Sequence, residues 1–378
     1  MPLFIDAGGC PNSCRHCGRS GRPPCAAYYS LAELRELART WGTLHIDAEP
    51  SAHPEFPDIL GPEVVSCEGV LATNGFGIAR AADPAGLFAK LSGFGYWALS
   101  LTFHGLEPRH DWFVRRRGAY VDLLTAAARA LQAGFRLHWN IHLDRLNLED
   151  VPSLIDLQER QFGGSRWVGL PTHVVNRRMW QYESLRPSAG EVAARLPNLP
   201  ELAPQQWPRP PAEYTEARWL QLWKARPEAC RLPSPETPAS WPPTEAFEDL
   251  WISVTRGRSV YLDPHCAPRM RLGTLDEGRP AIEARLRSLS PPGGEVDPGM
   301  AEPYLGASDL LHPSAASVRC KAIAAVRYWG KAAGRARGHA RSTEAGGEVT
   351  IEYAAGPAEA ERQWATMDNV RLSPLGDD

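Results

Sequence analysis

"LFIDAGGCPNSCRHC" (residues 3–17) sets an apolar run of strand character, two glycines and three cysteines in succession. Whether those cysteines are bridged, buried or metal-bound decides what the rest of the chain is built around. Of eight cysteines, three fall within eight positions, a density that suits one shared ligand better than separate bridges. Cys10, Cys14 and Cys17 follow a C-x3-C-x2-C spacing, and in a loop this lets three thiolates converge on one centre. Full ligation of a [4Fe–4S] cube takes four cysteines. Three leave one iron open to bind and polarise a small ligand, which a catalytic metal needs and a structural one avoids. A zinc knuckle completed by Cys25 is the other reading, because structural zinc takes a closed tetrahedral set. Gly8 and Gly9 fit a backbone that turns tightly around a bulky inorganic group.

The 378 residues suffice for one large domain with a smaller one, or for two ordinary ones. With 43% hydrophobic and 22% charged residues, the balance is that of a globular protein. A formal charge of −3 leaves no polyanion footprint, so no nucleic-acid partner is expected. No apolar stretch reaches the roughly 18 to 20 residues of a membrane span. "MPLFIDAGGC" (1–10) lacks the basic and apolar regions of a secretory signal. A cytoplasmic location without membrane contact is therefore expected, where thiols stay reduced and clustered cysteines read as ligands or catalytic groups.

Downstream, strand and helix patterns alternate. Strands are expected at "LFID" (3–6), "TLHID" (43–47), "GVLAT" (69–73), "YWALSL" (96–101), "RLHWNIHL" (136–143) and "RWVGLPTHV" (166–174). Helices are expected between them at 30–40, 84–92, 120–134 and 149–161. Ser30 with Glu33 makes a capping box, and Gly134 is a helix-stopping residue. Six such units predict an α/β fold, a partial (β/α)6 TIM-like barrel, with chemistry at the C-terminal ends of the strands. Residues 1–196 form this expected barrel. A Pro-rich linker with a helix (212–225) covers 197–243, and a mixed, loop-rich extension covers 244–378. In the extension, 250–266 reads as a β-hairpin turning at Arg256-Gly257, 316–329 as a helix and 348–354 as a strand.

The strand ends carry further signals. "DAEPSAHPEF" (47–56) follows the second strand, "LATNGFG" (71–77) ends the third, "LSLTFHG" (99–105) the fourth, and "LDRLNLEDV" (143–151) follows the fifth. With the triad, these elements resemble the radical S-adenosylmethionine (radical SAM) superfamily over roughly residues 3 to 190. The resemblance implies that Cys10, Cys14 and Cys17 hold a [4Fe–4S] cluster. It implies that Ala48, Glu49 and Pro50 form the turn contacting the amino group of S-adenosylmethionine (SAM), with Glu49 as the polar contact. It places Thr73 and Asn74 in the family's "TNG" turn, and sets Ser100 against the ribose or carboxylate. His16 stands where an aromatic residue often packs on adenine. One departure is that Asp47-Ala48 replaces a Gly-Gly pair, so close backbone approach is less assured. Asn140 and His142 alternate on the fifth strand and share a face, inward or outward. "FVRRRGAY" (113–120) reads either as a solvated turn or as an anion-binding group.

In the C-terminal half, "VTRGRSVYLDPHCAPRMRLGTLDEG" (254–278) resembles the hairpin of SPASM and Twitch extensions. Those bind extra clusters through several clustered cysteines, whereas Cys230, Cys266 and Cys320 are widely spaced. The plainer reading is a degenerate extension, with these three as candidate auxiliary ligands. The mechanism implied by the resemblance is reductive cleavage of SAM to a 5′-deoxyadenosyl radical that abstracts a substrate hydrogen. It implies an electron donor of the flavodoxin or ferredoxin type. The expected substrate is a ribosomal peptide or natural-product intermediate, with a separate leader-binding partner because the triad begins at residue 10. A small alcohol or sugar is the alternative substrate, and a zinc- or cluster-binding protein without turnover the alternative class.

Overall fold

The computed structural model describes residues 3–17, 29–42, 44–67, 69–170, 185–225, 252–255, 257–261, 271–288, 309–312, 318, 339–344 and 347–352. The first unit of the chain comprises 1–141, 150–167 and 233–294, and the second 142–149, 168–232 and 295–378.

The βα alternation read from the sequence is present. Strand β1 (Leu3–Asp6) leads to helix α1 (Leu31–Trp41), which starts because Ser30 and Glu33 cap each other reciprocally and buries Leu34, Leu37 and Trp41. After β2 (Leu44–Asp47) two 3₁₀ turns, Pro50–Ala52 and Asp58–Leu60, precede β3 (Val70–Thr73). Two helices the periodicity did not resolve, α2 (Phe76–Arg80) and α4 (Glu107–Val114), flank α3 (Pro84–Gly93) and β4 (Ala98–Phe103). Helix α5 (Ala119–Gln132) begins where the Asp111 carboxylate accepts from Gly118 N and Tyr120 N, and stops before Gly134 (φ 80°). Then come β5 (Arg136–His142), α6 (Val151–Leu157) with a π turn over Gln158–Phe162, and β6 (Ser165–Gly169).

The six strands divide between two sheets. Strands β3, β4, β5 and β6 are neighbours in that order, and the β3–β4 and β4–β5 pairs are parallel. Strands β1 and β2 pair in parallel in the other sheet. The ladder is interrupted between β2 and β3 because the edge of Leu44 is taken by residues 64 and 65: Leu44 N donates to Val64 O, and Leu44 bridges Val65. On its other edge β1 accepts β7 (Ile252–Val254) in parallel. That strand turns into β8 (Ser259–Tyr261) as the expected hairpin, and β8 pairs antiparallel with β9 (Arg271–Thr274). Helix α10 (Gly278–Ser288) packs on β9.

In the β3–β6 sheet the two faces differ in chemistry. Leu99, Leu101 and Phe103 on β4, with Leu137, Trp139 and Ile141 on β5, are buried. Phe103 and Trp139 stack with ring centroids 4.2 Å apart. The opposite face carries half-buried Ser100, Thr102, His138 and Asn140. This alternation places the apolar core on one side of the sheet and leaves a polar face on the other.

The second unit contains α7 (Ala189–Arg195), again started by a reciprocal box (Ser188 and Glu191), and α8 (Leu199–Leu202). The helix expected over 212–225 is split at Thr215 into a 3₁₀ turn (Pro211–Tyr214) and α9 (Glu216–Ala225). Glu216 and His312 form a buried 2.9 Å pair. Strands β10 (His339–Glu344) and β11 (Gly347–Glu352) make an antiparallel hairpin of which only the second strand was expected. The helix expected over 316–329 lies, except for Val318, outside the described residues.

Candidate functional site

The cysteine loop follows directly from β1. Gly9 takes φ 73°, a conformation glycine adopts without steric cost. Its N–H donates to Asp6 Oδ1 at 2.9 Å, and its carbonyl accepts from Glu49 N at 3.1 Å, tying the ends of β1 and β2 together. Gly8 lies against His53, where a Cβ would come within 3.2 Å of the ring. The loop then docks on the end of α4: Ser13 N donates to Val114 O (2.9 Å) and Arg15 N to Phe113 O (3.1 Å). These bonds satisfy helix-end carbonyls that have no partner within the helix. Buried Arg15 lies over the Trp112 ring at 3.6 Å, a further tie between the loop and α4.

Cys10, Cys14 and Cys17 are half-buried thiols, none of them bridged in a disulfide. Burial, and then the Glu49 carboxylate, push the Cys10 thiol up to about 12, with Cys17 adding to the rise. Burial raises the Cys14 thiol too, followed by repulsion from Cys17 and from Cys10. The three sulfurs thus sense one another. Without a cation their simultaneous ionisation is strongly opposed; a positively charged metal centre reverses this by deprotonating its thiol ligands. This chemistry of the donor set fits a metal cluster.

Glu49 organises the neighbouring turns. It is 2% exposed. Its Oε1 accepts from Ser51 N (3.1 Å), Ser51 Oγ (2.6 Å) and Thr73 Oγ1 (2.6 Å), and its Oε2 from Asn74 N (2.5 Å). Burial raises its ionisation above the usual carboxylate range, and the bonds from Ser51, Thr73 and Asn74 oppose that rise. Asn74 extends the network: its Nδ2 donates to Cys10 Sγ at 3.4 Å and its Oδ1 accepts from Phe76 N. Three segments separated in sequence, the cysteine loop and the turns after β2 and β3, therefore converge through Glu49 and Asn74. Ala48 lies in the left-handed region at φ 65°, in the place where the resemblance has a glycine, and Pro50 is buried at the start of the 3₁₀ turn.

His16 is half-buried, with its ring 5.4 Å from Phe113 and 5.1 Å from His104. Desolvation lowers its ionisation to about 4, so the ring is neutral near pH 7. Ser100 is in mid-strand, since β4 runs on to Phe103. Asn140 Nδ2 donates to Ser100 Oγ at 2.8 Å on the polar face. Neither of this pair is hydrogen-bonded to Glu49 or to the triad. Cys25, Cys230, Cys266 and Cys320 lie outside the described residues.

Several residues of the site were not singled out from the sequence. Ser51 bridges Glu49 to Gly77, whose N–H donates to its Oγ at 2.9 Å. His104 stacks on Phe113 at 3.9 Å. Of the three consecutive arginines, only Arg116 turns inward. Its Nε donates to Asn12 Oδ1 (2.6 Å) and its Nη1 to Asp122 Oδ2 (2.5 Å). A lone serine after "EP" carried no signal beyond ordinary turn chemistry, and a run of arginines does not say which one faces the core.

No family model and no curated protein matches the chain. Among solved structures, hexahistidine-tagged anSMEcpe with bound AdoMet is similar at 13% identity and a TM-score of 0.49, covering 86% of this chain and 92% of that one. Streptococcus suis SuiB bound to S-adenosylmethionine is similar at 13% identity and a TM-score of 0.42, covering 69% and 59%. The SuiB complex with precursor peptide SuiA is similar at 12% identity and a TM-score of 0.41, covering 69% and 58%. Likeness at this level carries no chemistry with it, so the functional reading rests on the site.

Proposed function

We propose that the chain is a radical SAM enzyme whose [4Fe–4S] cluster is held by Cys10, Cys14 and Cys17. The observation that carries this reading is the convergence of the cysteine loop with Asn74 and Glu49 at the ends of parallel strands, where Asn74 Nδ2 donates to Cys10 Sγ and Asn74 N to Glu49 Oε2. When bound, such a cluster supplies the electron that splits SAM into methionine and a 5′-deoxyadenosyl radical able to take a hydrogen from substrate. The chain's part is to hold and orient. Glu49 fixes the turn of Ala48 and Pro50, and its Oε2, which accepts a single bond, has capacity left for an ammonium donor. Asn74 steadies Cys10 through its sulfur. Ser100 and Asn140 present hydroxyl and amide groups on the polar face, suited to the ribose or carboxylate. His16, neutral and packed among aromatic rings, offers a flat surface for adenine.

A flavodoxin or ferredoxin serves as reductant in this reading, and the substrate is a ribosomal peptide or natural-product intermediate. Anaerobic reconstitution with iron and sulfide tests it. The expected product is a brown protein absorbing near about 400 nm with about four irons per chain, converting SAM to 5′-deoxyadenosine under dithionite. Replacing Cys10, Cys14 and Cys17 together by alanine should abolish both metal and turnover. A colourless protein carrying one zinc would instead establish a structural metal site.

A further inference from the structure

We propose that Arg116 is a positioning residue of the cysteine centre: its Nη2 donates a hydrogen bond to a sulfur of the cluster and thereby raises the cluster's reduction potential. The inference rests on the radical SAM reading and adds a residue to it.

Arg115, at φ 55°, and Arg117 are exposed, whereas the Arg116 side chain is 14% exposed. Two of its three nitrogens are committed. Nε is bonded to Asn12, which stands two residues from both Cys10 and Cys14, and Nη1 is bonded to Asp122. Nη2 is buried with no hydrogen-bond partner among the described residues. In a planar guanidinium, Nη2 shares one edge with Nε and the other with Nη1. It therefore sits between the cysteine-loop contact and the α5 contact. A buried donor of a charged group without an acceptor is rare in native proteins and asks for an explanation.

The local charge asks for the same thing. Asp122 also pairs with Arg80 at 2.7 Å, so two guanidiniums share one carboxylate and a net positive charge remains beside the loop. What is missing is an acceptor for Nη2. Reduction adds one electron to the cluster and makes its sulfurs more negative. A fixed N–H donor and positive charge stabilise the reduced form more than the oxidised one, and hydrogen bonds to the sulfurs are among the factors that set such potentials.

The test is a dithionite titration followed by EPR, without SAM, on reconstituted wild type, Arg116→Gln and Arg116→Lys at equal iron per chain. For Arg116→Gln, the ratio of reduced to oxidised cluster at a fixed poise should fall about tenfold, about 59 mV for a one-electron couple. Arg116→Lys keeps the charge and loses the fork, and should fall less. A merely structural role would lower iron loading or thermal stability and leave the midpoint of the loaded fraction in place. A wild-type midpoint in fully loaded Arg116→Gln overturns the proposal. If that variant does not load, an unchanged midpoint in Arg116→Lys does so. An unchanged midpoint with tenfold weaker SAM binding would put the donor on the SAM carboxylate and also overturns it. If the wild type itself takes up no cluster, the radical SAM reading is what fails.

Discussion

Replacing Gly77 by alanine probes the closest backbone approach that holds the site together. Gly77 lies in α2, and a Cβ there would meet the Ser51 carbonyl oxygen at 1.8 Å, its carbon at 2.7 Å and its Cβ at 2.9 Å. The first contact is roughly 1.5 Å inside van der Waals range. Ser51 cannot swing away, because Glu49 holds both its N–H and its hydroxyl. Helix α2 must retreat instead, breaking the Gly77 N to Ser51 Oγ bond. Overpacking costs about 1–3 kcal/mol and the lost bond about 0.5–1.5 kcal/mol. Alanine in a helix returns about 0.5–1 kcal/mol. The net loss expected is about 2 kcal/mol, within the roughly 0.5–4 kcal/mol these terms span, read as a lower guanidinium midpoint at constant slope. Two neighbours calibrate the measurement. Gly134 is at φ 80° with open space around it, so Gly134→Ala should cost only about 1 kcal/mol of backbone strain. Gly93, the last residue of α3, has open space and no such φ, so Gly93→Ala should gain about 0.5 kcal/mol. If Gly77→Ala costs no more than Gly134→Ala, the packing of α2 on the Pro50–Ala52 turn has been misread.

Two other outcomes follow from single residues. Ala48→Gly relieves a left-handed alanine and should raise stability by about 0.5–1 kcal/mol, seen as a higher midpoint in the same unfolding assay. Burial lowers His110 to about 3 in the folded chain, against an ordinary value near 6.5. Between those values the unfolded chain binds the extra proton, so stability is full above about pH 6.5 and is lost as pH falls. Wild type should therefore lose about 1.4 kcal/mol more per pH unit than His110→Gln between about pH 6 and pH 4, and parallel profiles would refute the buried neutral ring.

Much of the fold is written in local sequence. The box at Ser30–Glu33, the stop before Gly134 and the antiparallel pairing of β7 with β8 all depend on residues within a few positions of each other. Such signals survive without knowledge of the partner elements. The short helices α2 and α4 were not legible: five residues span little more than one turn, and "EPRHDWFV" shows no apolar stripe. Their ends matter here because one supports Gly77 and the other receives the cysteine loop.

By itself, the order of residues determined six strands with helical segments between them and placed three cysteines in the loop after β1. It also determined the strand ends that carry Glu49, Thr73 and Asn74. Tertiary structure alone decided three things. Residues 64 and 65 occupy the edge of β2, and the hairpin β7–β8 takes the free edge of β1. The face shared by Ser100 and Asn140 is the polar one. Of three adjacent arginines, Arg116 points inward at Asn12 and Asp122. The division has a physical origin. Capping, turn chemistry and strand periodicity act over a few residues, while sheet edges, burial and unpaired donors are defined only by groups brought together from distant parts of the chain.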